Sequence, residues 1–438
     1  MSISVLIIGA GPAGCYVVEQ LLKKDPNISI DILEKNPYPF GLLRTGVAPD
    51  HQKIKGLQRY FEKILANQNV SLFTNVEFGT DIKYQEVKDI YDGIFICTGS
   101  ATDNLHDKLD YSHHLNCGSL QVVNWYNGTY YNPKKFNPQH LNSSIAIIGL
   151  GNVALDIARI FLKPTSKLQS TEIPNQVLDL LNQKHISDVH IFVRRGPAQA
   201  KCSPKELEEV LELENASCTL HDFKVSSVDL EEAESTNRIK KNLELFKSIS
   251  AGTQNKQALH IHFYSKLDKC IYDSDKLTLR FNKTKLAGSP NQQKLIETTD
   301  SYELCTNFLI SSIGYRGTPL SEIPFNDNTH KIKHTLGHVQ DNIFTAGWIK
   351  RGPTGVIGTN KRDALESVTS FFNYLESNPT IKKGKNTIQH LLQSKSITFF
   401  TYQDWTQLND IEIQQGIKTN KSRVKISDKQ KIKSLLHK

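Results

Sequence analysis

The chain has 438 residues, 38% of them apolar and 22% charged, with a formal charge of +8 at neutral pH. That length suggests two or three domains with room for large cores, and the composition is ordinary for a globular protein. No run approaches the roughly 18–20 uninterrupted apolar residues of a membrane-spanning helix, and seven scattered cysteines without a CxxC pair argue against a disulfide framework, a zinc ribbon or a dithiol relay.

In chain order, a strand over residues 3–8 begins almost at once. No signal or transit peptide is therefore expected, and the protein is expected to be cytoplasmic, or organellar after processing. The strand runs into Gly9-Ala10-Gly11-Pro12-Ala13-Gly14 and a helix over about 12–24. A β-branched run before the turn and helix formers after it are the context a dinucleotide-binding glycine motif needs. The next strand, 28–33, ends at Glu34, twenty residues beyond Gly14. A carboxylate there accepts hydrogen bonds from a free ribose diol and repels a 2′-phosphate, which suits FAD or NAD. A loop to about 50, a helix over 52–66 and a strand over 93–97 follow, the last entering the turn Thr98-Gly99-Ser100. Residues 106–140, rich in Asn, His, Tyr and Pro with weak periodicity, read as a linker and domain crossing.

A second strand–turn–helix unit opens at 145, with Gly149-Leu150-Gly151-Asn152-Val153-Ala154 at its turn. Its next strand ends not in an acid but at Arg194-Arg195. Paired guanidiniums make charge-assisted, often bidentate bonds to phosphate, so this site should prefer NADP(H); a solvated strand end is the plain alternative. A helix over 203–214, a charge-rich stretch over 222–256, strand-like segments near 259–264 and 276–281, and a closing strand over 308–314 complete the unit. The strand 342–347 then leads through Trp348 into the glycine-rich segment to Asn360 and a helix over 361–374. No repeat beyond the two dinucleotide units is visible. Residues 415–438 carry eight Lys or Arg, the last being Lys438, against one Asp428. With no interleaved aromatics, this tail predicts an acidic protein partner rather than nucleic acid. No metal site is expected.

The chain resembles adrenodoxin reductase and the bacterial ferredoxin–NADP⁺ reductases of the same type. The resemblance rests on Gly9–Gly14, on Pro39-Phe40-Gly41-Leu42-Leu43-Arg44 running into Gly46-Val47-Ala48-Pro49-Asp50-His51, and on Gly151-Asn152-Val153-Ala154-Leu155-Asp156. It extends to Arg194-Arg195-Gly196-Pro197, to Trp348-Ile349-Lys350-Arg351-Gly352-Pro353-Thr354-Gly355-Val356-Ile357-Gly358, which looks closer to bacterial members, and to Tyr402-Gln403-Asp404-Trp405 with the basic tail. It covers essentially the whole chain; Lys201-Cys202-Ser203-Pro204 is a local departure. The fold it implies is α/β with two Rossmann-like domains. An FAD-binding domain (1–105 and 315–438) is discontinuous and completed by the C-terminal segment, with an NADP-binding domain (106–314) between its halves.

By the same resemblance FAD contacts Ala13, Glu34, Leu42, Phe78, Trp348, Gly355, Val356 and Ile357. NADP(H) contacts Leu150, Gly151, Asn152, Val153, Arg194, Arg195, Glu206 and Gly355. His51 and Glu209 lie near the nicotinamide, orienting it or carrying flavin protons. The residues themselves allow plainer readings: core for Leu42, Phe78 and Trp348, a helix start capped by Asp50 for His51, a solvated helix face for Glu209. The expected activity is hydride transfer from NADPH to FAD, then single electrons to a ferredoxin-type iron–sulfur protein. That partner is expected on Arg238, Lys240 and Lys241, since arginines in a similar stretch of the mammalian relative face the acidic ferredoxin; solvated helix surface is the alternative. A monomer is expected. Three other readings stay open. They are an NADPH oxidoreductase of the glutamate-synthase small-subunit type, for which cysteine-rich cluster motifs are missing; a flavin monooxygenase, whose fingerprint is missing; and a non-enzymatic NADPH-binding regulator without flavin.

Overall fold

The computed structural model describes residues 3–249, 255–379 and 387–436, so Met1, Ser2 and Lys438 lie outside them. The chain divides into two compact units, the first made of residues 1–102, 127–129 and 315–438, the second of 103–126 and 130–314.

The first unit is built on a six-stranded sheet in the order His338–Gln340, Ile343–Thr345, Gly93–Ile96, Ser4–Ile8, Ser29–Glu34, Val70–Thr74. All neighbours are parallel except the edge hairpin His338–Gln340/Ile343–Thr345. The central strands are buried along their whole length, as a parallel sheet covered on both faces requires. One face packs under the helices Pro12–Lys24 and Thr359–Ser377 through Val17, Leu21, Val368 and Phe371. Leu6, Ile8, Phe78, Ile94, Ile349 and Ile388 fill the other. The strand expected at 342–347 thus completes the N-terminal sheet, as a C-terminally closed α/β unit demands. The expected helix over 52–66 is broken into Gln52–Lys55 and Gln58–Leu65, with Gly56 capping the first.

The basic tail is partly consumed by this unit. Glu412, fully buried on the helix Tyr402–Lys418, takes both guanidinium nitrogens of Arg44 (2.9 and 2.5 Å), Arg423 at 3.0 Å and the Ile426 N–H at 2.7 Å. Arg44 also stacks on Tyr38 and Trp405. Lys425 donates to the carbonyls of Arg44 and Asn127, and Ser427 to that of Gly128, which accounts for 127–129 joining the first unit. Arg423 and Lys425 of the tail thus serve the fold, while Lys418, Lys429, Lys431 and Lys433 stay exposed.

The second unit carries an all-parallel sheet in the order Asn116–Gly118, Phe308–Ser311, Ser144–Ile148, Asp188–Phe192, Gln257–His262, Ala216–His221. The supposed linker supplies its edge strand and the helix Ser119–Tyr126, started by Asp103, whose carboxylate accepts from Leu120 N (3.0 Å) and Ser119 Oγ (3.2 Å). A three-residue strand leaves too little periodicity to read. The charge-rich stretch holds two helices, Ser227–Ser235 behind a Ser226/Asp229 capping box, and Asn237–Ser248. An antiparallel meander, Ser265–Tyr272, Leu277–Ala287 and Lys294–Thr306, lies on one sheet face and packs Leu267, Leu277, Leu279 and Phe281 on Ala146, Ile148, Phe192 and Leu309. Among the described residues no helix is long and apolar enough to cross a membrane.

Candidate dinucleotide sites

The two glycine turns repeat each other atom for atom where space is tightest. Gly9 has φ +108°, and a Cβ there would lie 2.6 Å from the Cys97 carbonyl oxygen. Gly149 has φ +107°, and a Cβ there would lie 2.4 Å from that of Ser312. In each unit the strand beside the first one ends too close for any side chain. Gly14 is excluded from substitution by Gly9 O at 2.0 Å. The middle glycines differ: a Cβ on Gly11 would touch only Gly41 Cα, at 3.8 Å, and one on Gly151 nothing within 4 Å. That open space stands before helices whose N-caps, Gly11 and Gly151, carry no side-chain cap. Their first N–H groups point where the sheet order switches direction, the place a pyrophosphate takes in this class of fold. This fits a dinucleotide at both turns.

In the first unit Glu34 is buried and accepts from Ala10 N (3.0 Å), Asn36 N (2.9 Å) and Asn36 Nδ2 (2.8 Å). Burial pushes its carboxyl up, against the pull of these donors and of Lys35. A carboxylate has about four acceptor positions, so capacity remains for a ribose hydroxyl. Ala13 packs against Gly347, whose φ of +85° and 2.5 Å clearance admit no side chain. Trp348 is half-buried beside Tyr315. Gly355 (φ +78°) and Val356 are exposed just before the uncapped start of Thr359–Ser377, Ile357 is half-buried, and Val356 N donates to Thr359 Oγ1 at 3.1 Å. Leu42 is half-buried at the start of Leu42–Thr45, whereas Phe78 is a core side chain. His51 itself, not Asp50, occupies the N-cap of Gln52–Lys55, and its side chain makes no capping bond. Cys15 and Cys97 are buried, with thiols pushed up by burial, and among the described residues all seven cysteines are free.

In the second unit Leu150 and Asn152 hold the loop that follows Arg194-Arg195: Lys201 N donates to Leu150 O at 3.2 Å and Ser203 N to Asn152 Oδ1 at 2.7 Å. Val153 is half-buried against the core. Ser203 caps the helix Pro204–Leu211. On that helix Glu206 has a buried Oε2 without a hydrogen-bond partner among the described residues, and Glu209 pairs with Lys205 (3.2 Å) and with buried Arg159 (3.6 Å). Arg159 in turn meets Asp156 at 2.8 Å. Glu209 is thus anchored in an ion-pair network rather than solvated.

Arg194 is exposed; Arg195 is half-buried, donates through Nη2 to the Gln293 carbonyl, and keeps a buried Nε without a partner among the described residues. Together with Lys266, Gln293 and Leu295 they line an open pocket of about 340 Å³. Lys266 and Gln293 come from the meander side and were not visible in the sequence, where nothing ties them to the arginines. Three cationic groups around one pocket fit a phosphate group. Of the expected docking cluster, Lys240 and Lys241 are exposed, but Arg238 donates to the Ala200 carbonyl and is half-buried.

A family model described as pyridine nucleotide-disulphide oxidoreductase matches residues 3–217. Over 449 residues the chain is 31% identical to the mitochondrial NADPH:adrenodoxin oxidoreductase of Arabidopsis thaliana, covering 96% of this chain and 93% of the relative. The chain belongs to the adrenodoxin reductase family. The human NADPH:adrenodoxin oxidoreductase is also 31% identical, covering 99% of this chain and 91% of its own. The NADPH-ferredoxin reductase FprA of Mycobacterium leprae is 29% identical, with 96% of each covered. The solved structure of Mycobacterium tuberculosis FprA in complex with NADPH superposes with a TM-score of 0.90 at 26% identity, covering 100% of this chain and 99% of that one. The resemblance and the α/β fold expected from the motifs are borne out along nearly the whole length.

Proposed function

We propose that this member of the adrenodoxin reductase family is an FAD-containing oxidoreductase that takes reducing equivalents from NADPH and passes them to a ferredoxin-type iron–sulfur protein. The observation that carries the reading is the contrast between two otherwise matching turns: buried Glu34 at the end of one second strand, Arg194 and Arg195 at the end of the other. When bound, FAD supplies the step from two-electron to one-electron chemistry, which no side chain of the protein can.

The chain's own contribution is binding, orientation and charge. The free N–H groups behind Gly11 hold the FAD pyrophosphate, Glu34 accepts from its ribose, and Leu42, Phe78, Trp348 and the Gly355-Val356-Ile357 segment bound the flavin. Leu150, Gly151, Asn152 and Val153 seat the NADP(H) pyrophosphate, Arg194 and Arg195 its 2′-phosphate, and Glu206 offers its unpartnered oxygen to the same nucleotide. His51 and Glu209 orient the nicotinamide, Glu209 being held by Arg159 and Lys205. Lys240 and Lys241 receive the acidic partner.

The test is spectral and kinetic. The purified protein should be yellow with one non-covalent FAD, and its NADPH-dependent cytochrome c reduction should require added ferredoxin and fall with ionic strength. A colourless protein that binds NADPH would replace this reading by that of a regulator.

A further inference from the structure

Three parallel strands of the second unit, Asp188–Phe192, Gln257–His262 and Ala216–His221, lie side by side with Gln257–His262 in the middle. Register sets His190 opposite His260, and His262 opposite both Phe192 and His221. Side chains two apart on a strand share a face, so Asp188, His190, His260, His262 and His221 all project from one side of the sheet. Elsewhere that face is apolar, with Ala146, Ile148, Phe192 and Leu309 meeting the meander. Packing alone gives no reason for four imidazoles in a row.

Their arrangement is directional. His190 Nδ1 is 3.1 Å from His262 Nε2, and His260 Nδ1 is 3.2 Å from His221 Nε2. His260 Nε2 lies 3.3 Å from Asp188 Oδ1. The rings stack in pairs, His190 on His260 with centroids 4.6 Å apart and His221 on His262 at 4.2 Å. His190 and His260 thus each engage a second histidine through Nδ1. One nitrogen or oxygen from each of Asp188, His190 and His260 falls within 4.8 Å of the other two.

We propose that Asp188, His190 and His260 form a binding site for one divalent transition-metal ion of the zinc class. Nε2 of each histidine and one oxygen of Asp188 are the ligands. His262 and His221 accept the Nδ1–H of the ligating rings, which fixes tautomer and orientation as partners behind metal-bound histidines do. Bonds of about 2.0–2.2 Å at tetrahedral angles set ligand atoms roughly 3.2–3.6 Å apart. The 3.3 Å between His260 and Asp188 already meets that, and His190 closes by a small side-chain rotation. All three ligands are partly exposed, so the ion enters from solvent and water completes its shell. Two imidazoles with one carboxylate select zinc, cobalt, nickel or copper over Mg²⁺ and Ca²⁺, which take oxygen ligands. Bound there, the ion pins the strand that leads to Arg194 and Arg195 to its neighbour. Spacing along the chain hides this site, because its members come together only through the register of two parallel strands about 70 residues apart.

The experiment uses the FAD-loaded protein, freed of metal by a chelator and dialysed against buffered Zn²⁺ or Co²⁺, with bound metal counted by atomic emission. One ion per chain is expected at micromolar free metal, unaffected by a large excess of Mg²⁺. His190→Gln and His260→Gln should each weaken binding by ~100-fold or more, and His221→Phe by ~10–100-fold. Flavin absorbance and a melting curve report whether each variant is folded; Asp188→Asn, at the exposed end of its strand, supplies a third route should a histidine variant misfold. Cys305→Ser and His114→Ala, an exposed thiol and a member of a separate histidine stack, should leave binding intact. Failure of wild type to bind zinc, undiminished binding in folded Asp188→Asn and His260→Gln, or loss of the ion in either control would overturn the site.

Discussion

Removing the guanidinium of Arg194 or Arg195 should erode the protein's preference for NADPH over NADH. A charge-assisted bond to phosphate is worth ~1.5–3 kcal/mol, which corresponds to roughly 10- to 150-fold in apparent affinity. The two residues should divide that range unequally. Arg194 is exposed, so Arg194→Ala should raise the KM for NADPH by ~10-fold. Arg195 is half-buried, with an Nε that lacks a partner among the described residues, so Arg195→Ala should cost ~100-fold. Arg195→Lys should recover only part, since an ammonium lacks the planar fork. Lys266, on the same pocket but paired with Glu297 at the surface, should contribute less than ~5-fold. The assay is steady-state ferricyanide reduction with NADPH and NADH in parallel, and the NADH KM should move by less than ~2-fold because no 2′-phosphate is lost. Arg195 also donates to the Gln293 carbonyl, so melting curves must accompany the kinetics. Equal losses with both nucleotides in folded variants would refute the 2′-phosphate role.

Glu34→Ala should weaken FAD retention on gel filtration by removing a ribose acceptor; flavin content untouched by the change would sink that assignment. Glu412→Ala removes the buried carboxylate that Arg44 and Arg423 share and should destabilise by about 3–5 kcal/mol in urea melts, while a loss below ~1 kcal/mol would show that the network is dispensable. Burial lifts the Asp103 carboxyl from 3.8 to about 6 despite the Leu120 N–H and the Ser119 hydroxyl. Its folded-state value lies above the unfolded one, so its contribution to stability is complete below the unfolded value and disappears as pH rises through about 6. Asp103→Asn should therefore flatten the fall in stability across that window and raise the melting temperature at neutral pH; an unchanged slope would assign the fall to other groups. Reversing the charge at Lys240 and Lys241, both exposed, should slow the ferredoxin-coupled assay and spare ferricyanide reduction, whereas a parallel drop in both would make the pair structural.

What was legible in the sequence was what a contiguous stretch must encode by itself. Gly9 and Gly149 are dictated by a carbonyl pressing on each turn from the adjacent strand, Cys97 in one unit and Ser312 in the other. No other residue type relieves that contact, so both motifs stand out in the chain. Glu34 and Arg194-Arg195 could be read because strand length fixes their distance from the turn. The outer two meander strands, the three-residue edge strand and the two helices within 222–256 were missed, since each is held by partners far away and shows little periodicity of its own.

The same division bears on the reading of charge. Eight basic residues in a tail look like a docking surface as long as the only acid counted is the one beside them. Arg423 is held by Glu412, eleven positions earlier on a helix, and Glu412 is shared with Arg44 near the other end of the chain. Arg238 is likewise taken by a loop carbonyl at Ala200. Net charge is a property of composition, but the charge a partner meets is what remains after the fold has paired its own. In this chain Lys240 and Lys241 on Asn237–Ser248, with Lys418, Lys429, Lys431 and Lys433 of the tail, remain exposed while Arg238 and Arg423 are drawn inward, so salt dependence of the ferredoxin-coupled rate should follow the exposed lysines and be insensitive to Arg238.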